Sequence, residues 1–310
     1  MPQVKSAIRS LAADSVRDRL EMLQGQLTQA SQSLDVERVH DLRVASRRLR
    51  TAVRMFGACW RAARKWDKKI GRLTHVLGAA RDLDVQTESL ARFLGGRTGR
   101  SRAGLVGLLH RLQQDGRAAR KRARRDIEQF IRSGLCERIA ARIDKPDSKP
   151  SPRAQAARAV RQHLRDVEKH ESCLAHPKAV GRLHKMRIAC KHLRYTLEVP
   201  ALLYENKLTP YIDAARKAQT LLGQVHDCDV WDGMLCRFLP SRGKSPAPEG
   251  IAALIQERAH ERHKAFGRFV QFWQELQQTK FWNGLMATIT SPPTTTTPRR
   301  RLGAPKGRAA

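Results

Sequence analysis

Aromatic side chains are scarce in this chain of 310 residues, which has 8 Phe, 5 Trp and 3 Tyr. RNA-binding folds such as the RRM and the OB fold stack bases on aromatic rings that the protein supplies. We therefore expect neither of these folds. Recognition of bases by stacking is disfavoured for the same reason.

Long apolar runs and paired cysteines are also absent. The chain has no run of 18 apolar residues, which is the length needed to cross a bilayer. The first 20 residues lack the apolar segment of a secretory signal. The cysteines form no CxxC pair, so we expect neither a disulfide framework nor a zinc ribbon. They stand at positions 59, 136, 173, 190, 228 and 236. Buried, inert thiols in a reducing cytoplasm are the expectation.

The common signatures of catalytic and nucleotide-binding loops are missing as well. The chain contains no GxxxxGK[ST], GxGxxG, HExxH or GxSxG motif. Glu37–His40 and Glu257–His260 have the ExxH spacing of di-iron bundles, but both lie among arginines. We expect no metal, no cofactor and no catalytic acid–base pair.

Positive charge is abundant. Lys and Arg number 60 against 29 Asp and Glu, which gives a formal net charge of +31. Such a charge opposes compaction by self-repulsion. It indicates a polyanionic partner, which could be a nucleic acid, a phosphate polymer or an anionic membrane surface.

Helix-forming residues dominate, and Gly and Pro divide the chain. Residues 144–152 contain three prolines and are predicted to be a linker, while 95–104 and 240–250 are predicted loops. The predicted domains are a first helical bundle over 1–143, a second over 153–289, and a disordered basic tail over 290–310.

Two sequence blocks recur in the same order. VHDLRVASRRLR (39–50) and LHKMRIACKHLR (183–194) share five of twelve residues at an offset of 144. LGAARDLDV (77–85) and LGQVHDCDV (222–230) share five residues at an offset of 145. The pattern predicts an all-α, internally duplicated fold with two four-helix bundles related by pseudo-two-fold symmetry.

Both copies of the first block, 39–50 and 183–194, place cations along one side of a helix. At 100° per residue the basic stripe of the first copy is opposite an apolar face, and the second copy repeats it. The stripes are His40, Arg43, Arg47, Arg50 and Arg54 in the first copy, and His184, Arg187, Lys191 and Arg194 in the second. No Glu interleaves the first stripe, so we expect a bound anion to relieve the repulsion. A plain solvated face is the alternative.

Further cations lie outside these stripes. Lys69 and Arg72 fall in one basic sector of the next helix, Lys217 is the counterpart of Arg72, and Arg216 stands beside it. Residues 97–125 carry ten Lys or Arg, which fits a solvated helix or a nonspecific nucleic-acid patch as well as a specific role. Asp82 and Asp227 are expected to orient Arg or His side chains, or to cap a helix.

These blocks resemble the CHAD domain, the conserved-histidine α-helical domain. The resemblance rests on 39–56, 77–85, 183–199 and 222–230, and it covers the chain from about residue 4 to 289. It implies two four-helix bundles with a basic groove or pore between them. Similar proteins bind inorganic polyphosphate and associate with polyphosphate granules. The ExExK motif of a fused CYTH domain does not occur, so the chain resembles the stand-alone form.

The resulting hypothesis is non-catalytic binding of inorganic polyphosphate by a cytoplasmic protein, with targeting to granules and no membrane partner. A nucleic-acid-binding protein that uses the same basic surface is the alternative, and an enzyme acting on polyphosphate is disfavoured. Histidines among these cations should have lowered pKa values, so binding should strengthen below about pH 6.5. The expected binding residues are His40, Arg43, Arg47, Arg50, Arg54, Lys69, Arg72, His184, Arg187, Lys191, Arg194, Arg216 and Lys217.

Overall fold

The structure is a computed structural model that describes residues 2–95, 99–148, 150–235 and 249–291. Within these ranges the chain forms ten α-helices and no strand, so the all-α prediction is confirmed. The helices are α1 Pro2–Gln32, α2 Val36–Met55, α3 Ala63–Gly95, α4 Gly99–Arg132, α5 Leu135–Ile143, α6 Pro152–Glu168, α7 Val180–Glu198, α8 Thr209–Leu235, α9 Glu249–Gln278 and α10 Phe281–Thr290.

Local sequence signals account for several helix ends. The Asp35 side chain accepts a hydrogen bond from Arg38 N at 2.8 Å and so caps the N-terminus of α2. Ser151 caps α6 in the same way, and Pro152 occupies the first turn, where its missing N–H costs nothing. Gly134 adopts φ +56° between α4 and α5, a conformation that suits glycine.

One predicted loop is wrong in part. Residues 99–104 belong to α4, while 96–98 lie outside the described residues. Residues 249 and 250 of the loop predicted at 240–250 belong to α9, and Thr290 of the predicted tail belongs to α10. Residues 240–248 and 292–310 lie outside the described residues. The proposed linker lies between α5 and α6, where Asp147 N donates to Cys59 O at 2.8 Å. The domain boundaries stay a prediction.

Among the described residues, the buried apolar side chains form three clusters. The first is built mainly from α1 to α5, and the second from α6 to α10. The third joins the end of α3 and the start of α4 to the end of α8 and the start of α9, and it includes Leu90, Leu105, Trp231 and Leu254. Two long helix pairs, α3–α4 and α8–α9, therefore pack against each other through apolar side chains.

The cysteines of the described residues are buried and unpaired. Burial raises the pKa of the Cys136 thiol to about 12, and those of Cys173 and Cys228 to about 11. Because the thiolate is the reactive form, these side chains are inert. Cys236 lies outside the described residues. No helix in the described ranges has the length and apolar character needed to cross a membrane.

Candidate anion-binding site

The two histidine-bearing helices, α2 and α7, pack against each other. The guanidinium carbon of Arg47 lies 5.7 Å from the centroid of the Tyr195 ring. Arg48 Nε donates to Glu198 Oε2 at 3.3 Å, which forms an ion pair between the helices. The basic stripes of α2 and α7 thus approach one another instead of lying on separate surfaces.

Four cations form the centre of this approach: Arg43 and Arg47 from α2, and Arg187 and Lys191 from α7. We call them the central cluster. Burial, followed by the charges of the other three members, lowers the pKa of Lys191 to about 8. Burial also lowers the pKa of Arg47 to about 10, and the charges of Arg43 and Arg187 act in the same direction. Cations from both helices are therefore close enough to destabilise one another's charge.

Two donors of the central cluster lack protein acceptors. Among the described residues, Arg47 Nε and Arg187 Nε are buried and have no hydrogen-bond partner. Burial is the main cause of the lowered pKa of Arg187, although the charges of Asp227 and Asp82 oppose it. A buried cation with an unused donor is costly unless an acceptor meets it. The arrangement suits an incoming anion.

The far end of the α2 stripe is neutralised within the protein. Asp67 of α3 accepts from Arg50 Nε at 2.6 Å and from Arg54 Nε at 2.8 Å. A Cβ at Gly71 would lie 2.9 Å from Arg50 Cζ, so this glycine leaves room for the guanidinium. The repulsion expected at this end is relieved by a carboxylate on the next helix, not by a bound anion.

The aspartates of the two repeated blocks also hold arginines. Arg43 lies 3.7 Å from Asp82, and Asp229 accepts from Arg262 Nε at 2.5 Å. Asp84 pairs with Arg120 of α4. The contact of Asp82 agrees with the orienting role expected of it, whereas Asp227 acts on Arg187 through its charge and forms no ion pair among the described residues. In the part of the chain that the structure describes, no group of three His, Cys, Asp or Glu side chains could hold a metal ion.

A histidine pair flanks the central cluster. The Nδ1 atoms of His184 and His226 lie 3.1 Å apart, so one ring donates and the other accepts. The pKa of His226 falls to about 4, chiefly through burial and then through the charge of Arg187. The pKa of His192 falls to about 4 for a similar reason, and those of His40 and His184 are also lowered. The expected direction is confirmed, but burial outweighs the neighbouring cations as its cause.

Four of the predicted residues do not join the central cluster. Lys69 and Arg72 are exposed and border a cavity of about 220 Å³ between α3 and α4. Arg216 donates to Asp213 of its own helix at 2.5 Å, and Lys217 Nζ lies 4.3 Å from the centroid of the Phe272 ring. Their part in binding was inferred from helical position alone and stays a prediction.

The remaining predicted residues lie around the cluster. His40 is exposed on α2, near Arg81, whose charge helps to lower its pKa. Arg194 stacks on Tyr195 at 4.5 Å, and its Nε lies 3.4 Å from Glu198. Glu198 therefore neutralises the α7 end of the site. The helical wheels missed Asp67 and Tyr195 as parts of the site, and His226 was not among the expected binding residues.

Comparison with known proteins identifies the family. The family model of the CHAD domain matches residues 14–236, which is more than half of the chain, so the chain belongs to the CHAD domain family. No curated protein sequence matches it.

Two solved structures have a similar fold. The crystal structure of the CHAD domain from the plant Ricinus communis has a TM-score of 0.64 and 23% identity, and the match covers 93% of each chain. PptA from Streptomyces chartreusis has a TM-score of 0.61 and 17% identity, over 86% of this chain and 99% of that one. At these identities the likeness concerns the fold.

Proposed function

We propose that the central cluster binds inorganic polyphosphate. The observation that carries the proposal is the meeting of Arg43, Arg47, Arg187 and Lys191 from two helices, with buried guanidinium donors that have no acceptor among the described residues. Arginine offers paired donors to phosphate oxygens, and lysine adds a compact charge. A phosphate polymer supplies the missing acceptors without requiring aromatic platforms for bases.

The shape of the site favours a thin chain over a duplex. The members of the central cluster are half-buried, and the Arg43 side chain is only 23% exposed. Side chains that are half-buried between two helices are less accessible to the broad, rigid backbone of a duplex than to a single phosphate chain. A single phosphate chain has no bases and can follow the line along which the two helices meet. Membership of the CHAD family, whose resemblance implied polyphosphate binding, supports the same ligand.

We propose binding without turnover. Two carboxylates act on the cluster: Asp82, which lies 3.7 Å from Arg43, and Asp227, whose charge acts on Arg187 and whose own pKa is raised by burial. Asp84 and Asp229 pair with Arg120 and Arg262. A pair of carboxylates facing four cations is poorly suited to gather Mg²⁺ or to activate water. A protein that holds polyphosphate without consuming it is suited to attach to polyphosphate granules in the cytoplasm.

Charge removal at the cluster tests the proposal. Each charge-assisted hydrogen bond is worth about 1.5–3 kcal/mol, so Arg47→Gln with Lys191→Gln should weaken polyphosphate binding by at least about 100-fold. Affinity is measured by titration with long-chain polyphosphate, and phosphate release in the presence of Mg²⁺ is followed in parallel. We expect none.

Lys69→Gln with Arg72→Gln is the matched control. It removes the same charge from exposed side chains that lie away from the central cluster, and it should change affinity by less than about threefold. Equal losses in the two double variants would show that net charge, not the cluster, determines binding. Steady release of phosphate would overturn the non-catalytic part of the proposal.

A further inference from the structure

A second basic surface lies on the outer side of α4. Four of its cations point into solvent within about 100° of the helix circumference, by the 100° step of an α-helix. They are Arg117, Lys121, Arg124 and Arg125, which we call the outer row. The opposite side of α4 is buried through Leu108, Leu112, Ala123 and Ile127. The fold therefore fixes the outer row in an outward direction.

The outer row is not neutralised by its surroundings. None of its four members forms an ion pair within the described residues, whereas Arg120 on the neighbouring side of the helix pairs with Asp84. Successive members are three or four residues apart, a spacing at which like charges destabilise a helix. By the same helical step Asp115 and Asp126 lie on another side of α4, whereas Glu128 lies on the side of the outer row, one turn beyond Arg124. Between Arg117 and Glu128 the sector therefore holds four cations and one acid.

The corresponding helix of the second half shows that the fold does not require this charge. Arg258 of α9 lies 2.8 Å from Glu261, and Arg262 lies 2.5 Å from Asp229. Arg262 and Arg120 occupy equivalent positions, because each pairs with the second aspartate of its repeated block. Around these equivalent positions α9 mixes charges of both signs, while α4 has six cations and no acid between Asp115 and Asp126.

We infer that the outer row is a docking surface for duplex nucleic acid, separate from the central cluster. Arg117 and Arg125 are eight residues apart, which is about 12 Å along the helix axis. The major groove of B-DNA has a width of about 12 Å, so the row spans the two phosphate backbones that border it. A rigid helix that meets a rigid duplex loses little conformational freedom on binding. Contacts to the phosphate backbone of the duplex require no aromatic residues, which are scarce in this chain.

Other polyanions fit this surface less well. A helix that binds a membrane surface inserts a free apolar face, and the apolar face of α4 is buried in the protein. A flexible phosphate chain would lose conformational entropy when it is ordered along the row, whereas a duplex is already straight and rigid. The duplex is therefore the partner that the exposed geometry favours.

The test measures binding of the full chain to a labelled duplex of random sequence, at salt concentrations from about 50 to about 200 mM. Changing the outer row to Gln (R117Q, K121Q, R124Q, R125Q) should weaken binding at least about tenfold and reduce the salt slope by about three to four. The control changes four exposed cations of α6 and its C-cap (R158Q, R161Q, R165Q, K169Q) and should leave the slope within about one of the unchanged chain.

The outcomes separate this inference from the proposed function. Arg47→Gln with Lys191→Gln should keep duplex binding and lose polyphosphate binding. An unchanged salt slope in the outer-row variant, or an equal reduction in the α6 control, would overturn the inference. So would an outer-row variant that loses polyphosphate, or loses vesicles of anionic lipid, while it retains the duplex.

Discussion

The helix pairs α2–α3 and α7–α8, which carry the two copies of the repeated sequence blocks, place their neutralising charges differently. In the first pair the acid is Asp67 on α3, and it holds Arg50 and Arg54 of α2. In the second pair the position equivalent to Asp67 is Ile212, and Glu198 stands on α7 where the repeat would place Arg54. Glu198 pairs with Arg194 of its own helix. The second pair thus has no carboxylate on α8 at the position equivalent to Asp67, but it has one on α7.

The two helix pairs also differ in the residue that lies beside the first histidine of each basic stripe. His40 of α2 lies near Arg81, whereas its counterpart His184 lies against His226, which occupies the position equivalent to Arg81. The first pair therefore keeps a permanent charge beside its histidine. The second pair has a histidine there, and its charge depends on pH. The same fold gives one end of the site a fixed potential and the other an adjustable one.

The largest effect in this comparison should come from removing the relocated carboxylate. Glu198 is only 17% exposed and serves both Arg48 and Arg194, so Glu198→Gln should lower the free energy of unfolding by about 2 kcal/mol. The same variant frees two arginines beside the central cluster, so its affinity for polyphosphate should rise while its stability falls. Urea denaturation and polyphosphate titration measure the two quantities.

Glu88→Gln is the matched control for this variant. Glu88 and its partner Arg92 are 61% and 74% exposed, and such surface pairs contribute less than about 1 kcal/mol. If Glu198→Gln destabilised the protein no more than Glu88→Gln, Glu198 on α7 would not have the neutralising role that Asp67 on α3 has in the first pair.

The sequence predicted part of this site because part of it is local. A helical wheel places Arg43 and Arg47 on one face, and the Asp35 cap is a short-range signal. The ion pair from Asp67 was not predictable, because a wheel of α2 contains no information about which face of α3 packs against it. The position of Lys69 and Arg72 beside α4 was not predictable for the same reason, because a helical wheel of α3 does not show which helix packs against each of its faces.

Tertiary packing also explains the loop that was mispredicted. Residues 99–104 are rich in Gly, Ser and Arg, which favour a loop in isolation. Leu105 and Leu108 follow directly and are buried in the third apolar cluster against α8 and α9. Long-range burial thus extends α4 across a segment whose intrinsic helix propensity is low, and such overrides cannot be derived from the segment itself.

A smaller effect should appear in the pH dependence of binding. Burial and Arg187 lower the pKa of His226 to about 4, so the ring is neutral in the free protein near pH 6. Polyphosphate would neutralise the surrounding cations and raise this pKa, so binding takes up a proton and affinity rises as pH falls from about 8 to about 5.5. We expect a several-fold increase in titrations at these two pH values.

Replacement of the histidine locates this dependence in the second helix pair. Lys191, whose pKa is lowered to about 8, contributes to the rise in affinity between about pH 8 and pH 7. His226→Gln should flatten the part of the profile below about pH 7, while His176→Gln, which changes an exposed histidine away from the pair, should leave the whole profile intact. Equal affinity of the unchanged protein for polyphosphate at pH 5.5 and pH 8 would show that protonation of the histidine pair does not contribute to binding.

The smallest effect should come from two glycines that face the basic stripes differently. A Cβ at Gly223 of α8 would meet nothing within 4 Å, so Gly223→Ala should raise the free energy of unfolding by up to about 1 kcal/mol through helix propensity. At Gly71 of α3 the new methyl group would displace the Arg50 guanidinium, which Asp67 holds at 2.6 Å. Gly71→Ala should therefore lose that gain, and urea denaturation of both variants measures the difference. Equal stabilisation by the two substitutions would mean that Arg50 leaves Asp67 at no cost, and that the acid on α3 is not what anchors this end of the first helix pair.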